Sequence, residues 1–396
     1  MNRILALLPL LALAACADTA SAPTAADPSA PLLSASASGK YIVVVGEGAD
    51  PRSVAAVAGV SPRYVYTAAL NGFAAVLNAG QLNALQHNPN VEYVEADAPA
   101  RLMVTQTGAT WGIDRIDQRD TPLNSSYTYT STGAGVNAYI LDTGIRLTHA
   151  ELVGRANYIP NGANGDFVKD GHGSANDCHS HGTHVAGTIG GTTYGVAKGV
   201  TLWAGRVVNC SGGGDASMVI AGMDWIAANG LKPGVVNMSL GYGNVTSIRD
   251  AAERLVAAGF FVAVAAGNGN LGGIPLDACG ESPANAPSVM TVGSTASSDY
   301  ESSFSNYGTC VDILAPGSSV LSTMHTSDTA TGTKSGTSMA TPHVAGVGAL
   351  YLALNPTATP AGVTSALKGN GTSGTIVLHS RSKKGGTPNL MLFTNY

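Results

Sequence analysis

Five short runs, "GVNAYIL" (135–141), "VTLWAGRVV" (200–208), "GVVNMSL" (234–240), "FFVAVAA" (260–266) and "SVMTVGS" (288–294), are almost continuously apolar. A strand with one solvated face alternates apolar and polar residues, so runs without that alternation are strands covered on both faces. Between them, "DASMVIAGMDWIAANG" and "TSIRDAAERLVAAGF" repeat apolar residues at helical spacing and stop at Gly230 and Gly259. Strand–helix alternation leaves few topologies. It predicts an α/β fold, a parallel sheet between two helical layers. In such sheets, sites gather beyond the carboxyl ends of the strands.

The segment before residue 104 has another rhythm. "YIVVV" (41–45), "YVYTAAL", "GFAAVLN" and "VEYVEAD" read as strands, with Asn71-Gly72 expected to turn the middle pair. "PRSVAAVAG" and "AGQLNALQHN" read as short helices. The order βαββαβ predicts a small α+β, ferredoxin-like domain. Ahead of it, residues 18–39 are small, polar and proline-bearing, which predicts a flexible linker.

The chain opens "MNRILALLPLLALAACADTA": one arginine, an apolar run too short to span a bilayer, then small residues. Residues 1–17 are therefore expected to be an export signal. "LAAC" (Leu13–Cys16) matches a lipobox in which Cys16 is acylated; the alternative is ordinary cleavage near Ala17 without lipid. Export makes the other four cysteines, Cys178, Cys210, Cys279 and Cys310, candidates for two disulfides, with three pairings open. No C-x-x-C spacing favours zinc instead. Charged residues make up only 11% and the net charge is −5, which argues against a nucleic-acid partner.

Three element ends carry reactive side chains. "AYILDTGI" ends a buried strand on Asp142, "SHGTHVAGTIGG" opens a Gly-rich helix on His181, and "VAVAAGNGN" ends another strand near Asn268. A fourth stretch, "SGTSMATPHVAGVGAL" (335–350), starts an apolar helix with Ser338 near its positive end and Pro342 in its expected first turn. Singly, each has a plain structural explanation as a cap, a turn or a core residue. Together they supply a nucleophile, a base, an anion to orient the base and an amide donor for an oxyanion. His172, His179, His181 and His184 also invite a zinc reading, but no H-E-x-x-H occurs. An esterase of α/β-hydrolase type would need a G-x-S-x-G elbow, which is absent around Ser338. A non-catalytic surface protein on the same fold is the other rival, and the filling of all four chemical positions speaks against it.

On "LDTGI", "SHGTHVAGTIGGTTYGVAKGV", "VNMSLG", "VAAGN", "FSNYGTCVDILAPG" and "GTSMATPHVAG", the chain resembles the subtilase family, in its proteinase K branch of aqualysin type, from Trp111 to about Phe393. The resemblance implies a secreted serine endopeptidase with Ser338 as nucleophile, His181 as general base and acid, and Asp142 as the orienting carboxylate. Asn268 and the Ser338 N–H would form the oxyanion hole. Peptide would bind as an added strand between Gly212, Gly213, Gly214 and Ser239, Leu240, Gly241. Ala265, Ala266 and Gly267 would floor a primary pocket for apolar or aromatic side chains. Tyr242 departs from the glycine usual in this branch and is expected to narrow the cleft rim.

The resemblance further implies structural calcium and no catalytic metal. One site would use the Pro287 and Val289 carbonyls with Asp312. A second would use Asp114, Asp117 and Gln118, helped by Asn124 and Ser126; the loop with Asp166, Asp170 and Asp177 offers a third acidic cluster. It pairs Cys178 with Cys210 and Cys279 with Cys310. Residues 40–103 match its inhibitory propeptide, which would template folding and then occupy the cleft of domain 104–396 until cleavage near Met103–Val104. The expected product is a monomer acting on proteins and peptides, released even from a lipid-anchored precursor.

Overall fold

The computed structural model describes residues 29–36, 39–98, 102–270 and 272–396, which fall into two units divided after Arg101. Cys16 and the expected export signal lie outside the described residues.

The five apolar runs become the centre of a nine-stranded sheet. From edge to edge its strands are 372–373, 390–391, 313–316, 290–295, 261–265, 234–238, 137–142, 201–206 and 156–158. All neighbouring pairs are parallel except the first. Successive residues of one strand serve opposite layers, as a period of two requires. Ala138 and Ile140 join one apolar cluster with the helices His181–Gly190 and Thr337–Leu354, whereas Tyr139 and Leu141 join the other with Ala216–Asn229 and Thr246–Ala257. The result is the expected three-layer arrangement. Thr337–Leu354 is apolar all round because it is buried along almost its whole length.

The chain reverses direction across the sheet at strand 137–142. After that strand it moves toward 201–206, then returns to 234–238 on the other side. Asp142 ends this strand, at the topological switch point.

The stop at Gly259 takes the left-handed backbone, φ 96, that glycine adopts freely. Gly230 does not: its φ is −65, and a side chain there would press on the Ile226 carbonyl and the Phe260 ring, each 2.6 Å from the added carbon. Glycine is required there for packing, not for handedness.

The first unit is a four-stranded antiparallel sheet in the order 64–66, 72–76, 40–45, 91–96, with helices Pro51–Val57 and Ala79–Gln86. Two expectations are corrected in it. The hairpin turns over residues 67–71, since Tyr66 pairs directly with Gly72. Asn71 instead donates its amide to the Gly46 and Ala49 carbonyls, and Gly72 leaves room for the Val43 carbonyl. The linker is not free along its length either. The Leu33 N–H donates to the Val94 carbonyl, the Val94 N–H to the Pro31 carbonyl, and Ala30 is buried in this unit's core. The open edge of strand 91–96 is thus satisfied by part of a segment whose composition read as flexible.

Candidate active site

Asp142 is 1% exposed at the end of its strand. Its Oδ1 accepts from the Thr143 N–H at 2.7 Å and lies 2.7 Å from His181 Nδ1. His181 is the first residue of its helix and follows Ser180, whose φ of 87 turns the chain sharply into the imidazole's position. Glycines let the two motifs meet. Gly144 has φ 105, and a side chain on Gly182 would collide with the Gly144 carbonyl.

A buried carboxylate fixes the loop beneath. Asp177 accepts from the His179, Ser180 and Thr183 N–H groups and from the Thr143 and Thr183 hydroxyls. Burial alone would depress the His181 pKa; the charge and hydrogen bond of Asp142 outweigh it, with a smaller contribution from Asp177, and hold it above the ordinary 6.5. By contrast, His184, whose Nε2–H donates to the Val320 and Gly332 carbonyls, is driven down to about 4 by burial, which is the behaviour of a structural histidine.

Gly336, not Ser338, caps helix Thr337–Leu354, and Ser338 is the second helical residue. Pro342 therefore falls in the second turn, one turn later than expected. A proline there cannot donate to the carbonyl four residues back, that of Ser338. The deficit is met from the neighbouring strand: Ser239 Oγ donates to the Ser338 carbonyl at 2.8 Å, and Ser338 Oγ donates to the Ser239 carbonyl at 3.0 Å. The structure thus joins His181 to Asp142 directly, while the Ser338 hydroxyl is bonded to Ser239 and not to the imidazole.

Asn268 is exposed just beyond strand 261–265, with its side-chain amide oriented by one neighbour. Its Oδ1 accepts from the Thr337 N–H at 2.8 Å and the Thr337 hydroxyl at 2.9 Å, so its NH2 end is the one presented to the cleft. Among the described residues, neither that NH2 nor the Ser338 N–H has a protein partner. Below, Asn306 accepts from the Gly269 and Leu276 N–H groups and donates to the Ala266 carbonyl. Neither Thr337 nor Asn306 was singled out from sequence, although both lie inside quoted motifs.

A cleft of about 370 Å³ runs from His181 and Asp142 between Gly212–Gly214 and Ser239–Gly241, so both expected walls converge on the pair. His179, Val208 and Tyr242 also line it. Among the described residues, no hydrogen bond occupies the main-chain groups of Gly214, Leu240 or Gly241, which leaves them available to an added strand. Ala265, Ala266 and Gly267, the expected floor of the primary pocket, lie at and just beyond the end of strand 261–265. Ala266 is buried in the second apolar cluster, so its side chain serves the core.

The acidic sets differ in their fitness for a cation. Asp117 Oδ1 and Gln118 Oε1 are both buried with no hydrogen-bond partner, beside an Asp114 carboxylate that accepts from the Asn124 and Ser125 N–H groups. Burial, reinforced by Asp114, pushes the Asp117 pKa up to about 6. An all-oxygen set with orphaned acceptors suits a hard cation. At the other set, Asp312 is bonded to Lys368 at 2.9 Å and to the Thr291 N–H at 3.0 Å. Calcium held with Pro287 and Val289 would share that carboxylate with the lysine, whose like charge opposes it. In the third cluster, Asp166 and Asp170 clasp the buried Arg206 guanidinium, which already provides their cation. The disulfides pair sequentially, Cys178–Cys210 and Cys279–Cys310, with Cα separations of 5.1 and 5.3 Å.

The family model described as "Subtilase family" matches residues 133–385, and that described as "Peptidase inhibitor I9" matches residues 40–103. An extracellular serine proteinase of Thermus sp. (strain Rt41A) is 48% identical over 419 aligned positions, covering 98% of each chain. Proteinase R of Parengyodontium album is 42% identical, covering 80% of this chain and 79% of its own. Among solved structures, a cold-adapted subtilisin-like serine proteinase superposes with a TM-score of 0.67 at 46% identity, covering 73% of this chain and all of its own.

Proposed function

The chain belongs to the subtilase family of serine proteinases and carries an inhibitor I9 domain ahead of the proteinase domain, and from that premise we propose that it is an exported endopeptidase working through Ser338, His181 and Asp142. The observation that carries this reading is the His181–Asp142 pair at the switch point, lining one cleft with Ser239, the residue to which Ser338 is doubly hydrogen-bonded. In the proposed reaction, Ser338 Oγ leaves the Ser239 carbonyl by rotation about one bond, and His181 Nε2 takes its proton as it attacks the scissile carbonyl. His181 then passes that proton to the amine nitrogen as the C–N bond breaks and the serine ester forms; in the second half it draws a proton from the attacking water and returns it to Ser338 Oγ as the ester bond breaks. Asp142 holds Nδ1 protonated and stabilises the imidazolium.

The Asn268 NH2 and the Ser338 N–H receive the oxyanion, the latter aided by its place at a helix start. Asn268→Ala therefore lowers kcat on a peptide anilide by about 10²–10³, the scale found for such a donor elsewhere in this family, with little change in KM. A rise in KM at constant kcat would place Asn268 in substrate binding instead. The uncharged, small-residue surroundings of Ala265 and Gly267 favour an apolar or aromatic side chain before the scissile bond.

The proposed life history follows from the I9 domain: residues 40–103 inhibit domain 104–396 until cleavage near Met103–Val104, where Leu102, Met103 and Val104 are exposed. Lipid on Cys16 would leave with that portion. N-terminal sequencing of active enzyme should begin near Val104; a start near Cys16 or Asp18 would contradict release.

Calcium is proposed at Asp114, Asp117 and Gln118 as a structural ion. An ion 100-fold above its Kd stabilises by about 2.7 kcal/mol. Chelation should then lower Tm by roughly 4 °C for a domain of this size, and Asp117→Asn should remove most of that difference. Equal sensitivity in the variant would move the ion elsewhere.

A further inference from the structure

We propose that Tyr242 is a specificity-determining residue that closes the far end of the cleft and selects small substrate side chains three residues ahead of the one in the primary pocket. The inference rests on the peptidase reading and deepens it.

Ser239 is tied to Ser338 by two hydrogen bonds, 2.8 and 3.0 Å, so this wall of the cleft starts at the proposed nucleophile. Tyr242 stands three residues further on. Extended backbone advances about 3.3 Å per residue, which puts Tyr242 about 10 Å along the wall. A peptide lying against the wall advances at the same rate. The substrate residue facing Tyr242 is therefore the third before the one facing Ser239.

The ring is held in place from three directions. Residues Tyr242–Gly243 pair antiparallel with Glu281–Ser282, which fixes the backbone. The ring is half-buried against the second apolar cluster, as are Leu240 on its own wall and Val208 and Ala216 on the opposite side. Its hydroxyl reaches that opposite wall, donating to the Asp215 carbonyl at 3.4 Å, next to Gly214. Just before the ring the wall leaves space, since nothing lies within 4 Å of where a Gly241 side chain would start. A narrow, glycine-lined channel thus ends in one anchored phenol. A large substrate side chain arriving there has to displace the ring or break its bond to Asp215, whereas alanine does neither.

The test uses two fluorogenic peptides with the same aromatic residue before the scissile bond, differing only in alanine or leucine three residues earlier. kcat/KM is measured on mature wild type, Tyr242→Gly, Tyr242→Ala and Tyr242→Phe. Wild type should prefer the alanine peptide. Either small variant should raise the leucine-to-alanine ratio tenfold or more, within the range a pocket's apolar fit commands. Tyr242→Phe, which keeps the ring, should stay close to wild type. A ratio unchanged within twofold in the small variants overturns the inference. A wild-type enzyme that cleaves neither peptide overturns the peptidase reading beneath it.

Discussion

Ser338→Ala should lower kcat on a peptide anilide by about 10⁶-fold, the scale measured for loss of the nucleophile in another member of the family. The argument for so large a loss is that the hydroxyl performs a bond-making step that nothing else in the cleft replaces. The variant should fold. The site is 9% exposed, alanine fits it, and the bond lost to the Ser239 carbonyl contributes only about 1 kcal/mol. Residual cleavage should persist at about 10³–10⁴ above water, because the oxyanion donors and the binding cleft remain. A second readout comes without added substrate. If maturation is self-inflicted, the Ser338→Ala chain should accumulate at full precursor length after export, with both disulfides formed. A loss of less than tenfold with normal maturation would remove Ser338 from the chemistry.

Asp142→Asn carries the second large effect, about 10⁴ in kcat, because an amide presents the imidazole with the wrong hydrogen-bonding partner and no charge. It also has a signature in pH. A general base works only when deprotonated, so activity falls on the acid side as His181 gains its proton. Asp142 raises the His181 pKa above 6.5, and the acid limb of wild-type kcat/KM should accordingly lie above 6.5. Without the Asp142 charge, the remaining influences are chiefly burial and Lys334, both of which favour neutral imidazole, so the limb should move to lower pH in the variant. A limb that stays in place would assign it to another group. Asp177, which remains in the variant, is too small a contributor to hold it there.

Much of this architecture could be read from the chain because buried parallel strands have a composition of their own. The runs ending at Leu141, Leu240 and Ala266 marked both the sheet and the edge where chemistry collects. Motif glycines carried equal information: Gly144 and Gly182 are where a loop and a helix start touch, and no other residue fits. What stayed hidden was whatever depends on a neighbour distant in sequence. The position of Pro342 looked like a helix start, and its true place became intelligible only through the hydroxyl of Ser239, which takes over the missing donor. Asn71-Gly72 carried a hairpin signature but serves Gly46, Ala49 and Val43 instead. Composition around Leu32 pointed to a linker, and an open strand edge bound it. Lys368 lies 56 residues from Asp312, so no local pattern could announce that pair. Likewise, Thr337 and Asn306 position Asn268 and its loop through bonds that span 30 residues or more.

The central claim is that Ser338, His181 and Asp142 act as one unit in the folded enzyme. Its most direct test is the reaction of mature protein with a serine-directed fluorophosphonate, with the modified peptide mapped by mass spectrometry. The expected result is stoichiometric labelling of Ser338 alone, abolished by prior unfolding and strongly slowed in a His181→Ala variant. Labelling of a different serine, or equal rates with and without the imidazole, would contradict it.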